Sequence, residues 1–433
     1  MNGVTGAFAK TVHIVRSKGI REAVRRIQQS LRLHARLLEV APTQKNNLTY
    51  IESHNEYLSI LGPRAKPRPA RFPNVVIISD TTLEQCHRYR IENKIAFLRG
   101  LGVRATFVHA EDIPNAINAI QFSSAVIFYR LSMNDAFMNY CSEAARLGVP
   151  TLYDIDDPMF DRDIIIANAN VSAIDPHTRE ALLRDSSATR DAMVRCDFML
   201  ASTPALAEIM CLASGGKPAF VWRNVADKEA LELGDEIYCA NPEQQSSAVR
   251  IGYFSGSLAH EADFDVAAPA IARFMKERED VNLLLFGHVN ERSLFDDLGG
   301  RITNAAVADY SDYINAIAGC DFVVVPLVDN EFNRCKSIVR YIDAALVRVP
   351  VIASRVGDYA ALVRNGETGW LVSEEEWLTA LEQARDDASE RQQMGLRARA
   401  FVESEYAVGS YRPDLGASLN KALLGYSCAP SRH

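Results

Sequence analysis

The feature that most constrains this chain is a double alternation of short Val- and Ile-rich runs with helical patterns. The first series of runs is NVVIIS (74–79), AVIFYR (125–130), TLYDID (151–156) and CDFMLAS (196–202). The second is VRIGYFS (249–255), VNLLLFG (281–287), CDFVVVP (320–326), VPVIAS (349–354) and GWLV (369–372). Short apolar runs of this length suit strands buried on both faces. Helical patterns lie between them, as in IENKIAFLRGLG (91–102) and FMNYCSEAARLG (137–148). Such alternation implies βαβ units and parallel sheets. Two series in 433 residues predict two doubly wound α/β halves of about 150–200 residues each. CDFMLAS and CDFVVVP look like the same strand in each half.

Composition narrows the class. Apolar residues make up 48% and charged residues 24%, which suits a globular chain. The net charge of -8 disfavours general nucleic-acid binding. Eight cysteines are scattered without a Cys-x-x-Cys pair, so neither a zinc site nor a dithiol motif is signalled. Several sit in apolar runs, where reduced Cys packs as a small hydrophobe, so a cytoplasmic setting is expected. No apolar run approaches the roughly 18 residues of a membrane span, and no signal-peptide pattern opens the chain. Residues 1–40 carry eight Lys or Arg against Glu22 and Glu39, with Ile14, Ile20, Val24, Ile27 and Leu31 at helical spacing. That basic amphipathic helix has two readings: it lies on an anionic membrane surface, or it docks on the protein. GPRAKPRPARFP (62–73) reads as a linker.

The stretch 320–372 carries the chemistry. Its spacing predicts a helix from near Lys336, with Arg334, Lys336 and Arg340 in or beside the first two turns. Cations crowd an end that free N–H groups and the helix dipole already make positive. A bound phosphate resolves that conflict; chance placement of exposed cations is the alternative. Lys336, Arg340 and Asp343 fall on one face. Asp343 lies about 10 Å along the axis from Lys336. A nucleoside diphosphate laid along that face would set its phosphates at the helix start and its ribose hydroxyls on Asp343.

This segment resembles the donor-binding half of GT-B glycosyltransferases of the retaining family 4 type. That family carries two acids with seven residues between them, then a helix leading to a Pro-Val-Ile-Ala-Ser strand and a Gly-x-Thr-Gly turn. The second acid maps to Asp343, and VPVIAS, Gly366 and Gly369 complete the match. The first acid maps onto Cys335, a departure. A bacterial polysaccharide sub-branch has instead an Asn-x-x-Lys-Ser signature, which Asn333, Lys336 and Ser337 fit. The same sub-branch has a Ser-Gly-x-x-x-His-x-x-Asp-Phe form, matching Ser255, Gly256, His260, Asp263 and Phe264. It also has a Cys-x-x-Tyr-Arg pattern and a Tyr-Asp-x-Asp-Asp stretch, matching Cys86, Tyr89 and Arg90, and Tyr153, Asp154, Asp156 and Asp157.

The resemblance implies two Rossmann-like domains facing a cleft, with the basic helical extension and linker over 1–70. The acceptor domain would span 71–225, the donor domain 226–408, and a tail, 409–433, would cross back. It implies transfer of a sugar from a nucleotide-sugar to a glycan or lipid-linked acceptor in cell-surface polysaccharide synthesis. Retention of configuration, no required metal and no cofactor beyond the nucleotide-sugar follow from the same resemblance. Peripheral attachment at the inner membrane face would come through residues 1–40. The donor site would comprise Ser255, Gly256, Ser257, Asn333, Lys336, Ser337, Arg340, Asp343, Gly357 and Tyr359. The loop after the first strand of this half lacks the family's Arg and Lys, so Lys336 would carry more of the phosphate charge. Asp156, Asp157, His260 and Lys336 are the catalytic candidates, and Tyr89, Arg90 and Asp154 the acceptor-binding ones.

Several of these residues have other readings. Asp154, Asp156 and Asp157 also fit a helix N-cap and turn before Pro158, or an Asp-x-Asp metal site. Gly366 and Gly369 fit ordinary turns. A nucleotide-sugar epimerase and a catalytically silent scaffold of the same fold remain the alternatives to transfer.

Overall fold

The computed structural model describes residues 73–81, 84–172, 174–240, 248–255, 260–287, 289, 293–306, 309–416 and 423. The basic helix expected over residues 1–40 and the linker lie outside the described residues. Residues 63–433 form one compact unit, and it contains two six-stranded parallel sheets.

The first sheet has β1 (Asn74–Ser79), β2 (Arg104–His109), β3 (Ala125–Tyr129), β4 (Thr151–Ile155), β5 (Phe198–Ala201) and β6 (Ala219–Val221), in the order β2-β1-β3-β4-β5-β6. The second has β7 (Val249–Ser255), β8 (Val281–Gly287), β9 (Ile302–Ala305), β10 (Phe322–Val325), β11 (Val351–Ser354) and β12 (Trp370–Val372), in the order β12-β11-β10-β7-β8-β9. Every expected run forms a strand. The central ones are buried along their length because helices cover both faces. β2, β6 and β9 were not expected. Each lies at a sheet edge, and β2 exposes Arg104 and Thr106, which hides the apolar run.

Strand order reverses between β1 and β3 in one sheet and between β7 and β10 in the other. Open α/β sheets bind ligands outside the carboxyl ends of strands at such points. Four clusters of buried apolar side chains fill the faces of the sheets. Cys335, which follows β10, packs within the cluster of the first sheet, and Thr203 Oγ1 donates to its carbonyl at 2.9 Å. The long helix Ala388–Glu405 packs on the helix Val339–Leu346. Beyond it, Ala407 pairs with Ala226, and Leu415 and Leu423 join the cluster around Val75, Ile77 and Trp222. Leu415 and Leu423 therefore lie on the first sheet.

A buried charge network braces the first domain. The segment after β1 forms a turn (Glu84–His87), a π-helical stretch (Arg88–Glu92) and the helix Asn93–Gly100. Arg90 and Lys94, one turn apart, both pair with Asp154 at the end of β4, the latter at 2.7 Å. Arg90 also donates to the Trp222 carbonyl (2.6 Å) and Asn224 Oδ1 (2.9 Å). This network corrects the expectation that Arg90 and Asp154 meet an acceptor. Both are fully buried, and their charges are spent on each other.

Two outcomes follow. Asp154→Ala leaves the buried Arg90 guanidinium, and Lys94 whenever it is protonated, without their carboxylate and should cost about 3–5 kcal/mol in chemical denaturation; a loss below about 1 kcal/mol, the scale of an exposed pair, would contradict the network. Burial, and then Arg90, lower the Lys94 pKa to about 7, against the pull of Asp154. The folded form thus sheds this proton more easily than an unfolded chain, so Lys94 adds stability as pH rises from about 7 toward about 10.4. Lys94→Met should remove that rise from the stability–pH curve; an unchanged slope would show that Lys94 stays protonated throughout.

Candidate functional site

The site lies where the carboxyl ends of the two sheets meet. On the second domain, β7 ends at the buried Ser255, and Gly256 and Ser257 lie outside the described residues. His260 precedes the short helix Glu261–Asp265. After β10 comes one turn, Glu331–Arg334, and the next helix begins at Val339, with Ile338 as an N-cap that makes no side-chain bond. Lys336 and Ser337 therefore precede the helix rather than open it. Arg334 is not part of the site: it is exposed and pairs with Asp329 at 2.7 Å.

Lys336 Nζ lies 3.1 Å from His260 Nδ1 and 3.2 Å from Asp263 Oδ2, with the Phe332 ring 5.7 Å away. Burial lowers the Lys336 pKa below its usual value; Asp263 opposes that and Arg340 adds to it. Burial and Lys336 push His260 down to about 3, so its ring is neutral at physiological pH. Burial works to raise the Asp263 pKa, but His260 and Lys336 hold it well below the usual carboxylate range. Arg340, half-buried on the first turn of the helix, makes no ion pair or side-chain hydrogen bond among the described residues.

The other second-domain candidates are placed as follows. Asn333 is fully buried and donates to Asp263 Oδ1 (2.6 Å) and the Val328 carbonyl (2.9 Å). Ser337 Oγ accepts from Asn224 Nδ2 at 2.8 Å. Gly357 sits at φ +51, where a Cβ would come within 2.6 Å of the Arg334 carbonyl oxygen. Tyr359 is buried, and burial raises its pKa against the pull of Arg340. Asp343 does not face an open gap. Its fully buried carboxylate accepts from the hydroxyls of Tyr89 (2.5 Å), Tyr310 (3.0 Å) and Tyr313 (3.2 Å) and from Gln85 Nε2 (3.3 Å). Burial raises its pKa to about 6 against these donors. Tyr89 and Gln85 belong to the first domain, so this cage spans the junction.

On the first domain, Asp156 and Asp157 follow β4. Arg130, held at φ +53 just past β3, bridges them: Nε donates to Asp156 Oδ1 and Nη2 to Asp157 Oδ2, each at 2.6 Å. The Tyr129 hydroxyl donates to Asp156 at 3.0 Å. Burial works to raise the Asp156 pKa, but Arg130, Arg90 and the Tyr129 hydroxyl together outweigh it, and the pKa falls. Burial wins at Asp157, whose pKa rises; Arg130 opposes that rise and Asp156 adds to it. Lys336 also acts on Asp157 across the junction, again opposing the rise. Asn170, fully buried, accepts from the backbone N–H groups of Ala262 (2.9 Å) and Asp263 (3.3 Å). Among the described residues no group of three or more His, Cys, Asp or Glu could hold a metal ion, and no helix is long and apolar enough to cross a membrane.

The junction thus gathers Asp156, Asp157, His260, Lys336 and Arg340. It turns Asn333 and Asp343 toward internal partners, buries Tyr359, and uses Arg90 and Asp154 as a brace. Sequence reasoning gave no side-chain role to Arg130, Asn170, Tyr310 or Tyr313. Asp263 entered only as a motif position, although its spacing of three from His260 puts the two on one face.

Residues 250–387 match the family model described as Glycosyl transferases group 1. Among curated proteins, the D-inositol 3-phosphate glycosyltransferase of Corynebacterium diphtheriae is 36% identical over 90 residues, a match that spans 20% of each chain. Solved structures share the architecture at low identity. HepE of Anabaena, in complex with UDP-glucose, aligns with a TM-score of 0.51 and 14% identity over 78% of this chain and 96% of its own. Sucrose-phosphate synthase of Thermosynechococcus elongatus gives 0.52 and 15% over 77% and 95%. A glycosyltransferase of Rickettsia africae gives 0.54 and 12% over 78% and 96%. The chain is a two-domain protein of GT-B fold whose second domain carries the match to the group 1 glycosyl transferases.

Proposed function

We propose that this protein is a glycosyltransferase that takes a nucleotide-activated sugar in its second domain and a glycan or lipid-linked acceptor in its first. The observation that carries the reading is a pair of cations, Lys336 and Arg340, at the strand-order switch of the second sheet, with Lys336 acting on Asp157 of the first. Arg340 has no carboxylate of its own among the described residues, and a diphosphate supplies the charge it lacks. The match to group 1 glycosyl transferases and the likeness to HepE, described with UDP-glucose, support a nucleotide-sugar as the donor.

In the reaction, negative charge builds on the diphosphate as the bond to the sugar breaks. Lys336 and Arg340 stabilise it from fixed positions in a largely dry site, which is the largest single contribution in such catalysis. Asp157, the more exposed of the two acids, orients the incoming acceptor hydroxyl; Arg130 fixes its direction. Neutral His260 hydrogen-bonds the donor. Ser255, Ser337 and Gly357 line the backbone that approaches the nucleotide, and a ribose hydroxyl reaches Asp343. Transfer of a hexosyl group proceeds with retention and without a required metal. The setting is cell-surface polysaccharide synthesis on the cytoplasmic side, with residues 1–40 as the membrane contact.

A binding panel of nucleoside diphosphates and their sugars tests this. One member should raise thermal stability and bind in calorimetry, and sugar should pass to an added acceptor. Lys336→Ala should weaken that diphosphate by about 1.5–3 kcal/mol, or about 10- to 150-fold. An unchanged affinity removes Lys336 from the site. No stabilisation by any member would favour a silent scaffold; epimerised sugar without acceptor would favour an epimerase.

A further inference from the structure

Asp263 takes no part in the chemistry above, yet its carboxylate has four partners at the junction, as many as that of Asp343. It is fully buried. Oδ1 accepts from Asn333 Nδ2 (2.6 Å) and the Val328 N–H (3.1 Å). Oδ2 lies 3.2 Å from Lys336 Nζ and 3.2 Å from His260 Nδ1. Its own N–H donates to Asn170 Oδ1 of the first domain. One carboxylate therefore ties the segment after β7 to two stretches of the segment after β10, and its backbone is tied to the opposite domain.

The charges around Lys336 explain why this matters. The helix Val339–Leu346 sets Arg340 against it, and the turn before Glu261–Asp265 sets neutral His260 against it. The single turn Glu331–Arg334 offers the Phe332 ring. From the first domain comes Asp157, which Arg130 already engages at 2.6 Å. Asp263 is the one anion within hydrogen-bond distance of the ammonium among the described residues. A buried ammonium beside a guanidinium needs such a partner, because burial and a like charge both favour the neutral amine.

We propose that Asp263 is the positioning residue of this site, holding Lys336 as a charged ammonium directed at the donor diphosphate and fixing Asn333 and His260 around it. The inference rests on the donor-site reading above. Without the Asp263 charge, burial and Arg340 act on Lys336 unopposed except by Asp157. Its proton is then lost at a lower pH, and diphosphate affinity falls with it.

The test is calorimetric binding of the diphosphate selected by the panel, starting with UDP, across pH. Asp263→Asn should bind at least about tenfold more weakly above neutral pH, with its pH midpoint lowered by about one unit or more. Lys336→Arg on that background should flatten the profile, because a guanidinium does not deprotonate in this range. Loss by an equal factor at every pH, or failure of the arginine to flatten the curve, overturns the proposal. Asn333→Ala provides a second variant should Asp263→Asn not fold. It removes a tether but keeps the charge, so affinity should fall with the midpoint unmoved; a shifted midpoint counts against the proposal. If the wild-type protein binds no diphosphate, the donor-site reading itself fails. If the wild type binds and Asp263→Asn keeps its pH profile, this inference alone fails.

Discussion

A cation taken out of water needs a fixed counter-charge, and the junction of the two sheets is organised by that need. Arg90 and Lys94 share Asp154; Arg130 spans Asp156 and Asp157; Lys336 rests on Asp263; Arg223 pairs with Asp358. Each pair joins segments far apart in the chain. The pairs do not add much stability, since desolvation takes back most of the attraction. What they add is placement. Breaking one leaves a bare buried charge, so alternative packings of these segments are heavily disfavoured. Arg340 stands outside the pattern: it is half-buried and has no such carboxylate among the described residues. A site that matches its other cations so closely and leaves this one open is suited to an anion that arrives from outside.

The parts of this arrangement that show in the sequence are those where burial is symmetrical. Strands such as β3 and β10 read as unbroken apolar runs because helices cover both their faces. β2 alternates Arg104 and Thr106 with buried Ala105, and β6 has only three residues, so neither stands out as a run. The helix carrying Asp343 was legible, but its start was not. Lys336 and Arg340 have helical spacing, yet the chain turns at Glu331–Arg334 and resumes at Val339. Periodicity cannot distinguish a helix from two turns of similar pitch.

Side-chain direction was the harder problem. Asp154, Asp156 and Asp157 look equivalent as letters. The first is consumed by Arg90 and Lys94, whose spacing of four puts both on one helix face toward β4. That pair of cations was the available signal that one nearby acid would be internal. The role of Arg130 depends on a left-handed backbone at a non-glycine residue, which residue type does not reveal. Asp263 was visible as a motif position, but its partners at 328, 333 and 336 meet it only through the crossover between β7 and β10.

The Asp343 cage has a consequence for how the proposed donor enters. Two of its four hydrogen-bond donors, Tyr310 and Tyr313, come from the second domain, and two, Tyr89 and Gln85, come from the first. In the proposed reaction a ribose hydroxyl that reaches Asp343 takes the place of one of the latter pair. The carboxylate then trades hydroxyl for hydroxyl, or amide for hydroxyl, and stays satisfied, so the exchange costs little in hydrogen bonding. The first domain, however, loses a hold on the second. Donor occupancy and release of the segment that follows β1 are therefore one equilibrium rather than two. A donor favours the rearranged state only by the difference in its affinity for the two arrangements. Lys336 and Arg340 supply that difference, because a diphosphate gains from both cations while Tyr89 and Gln85 bring no charge to either.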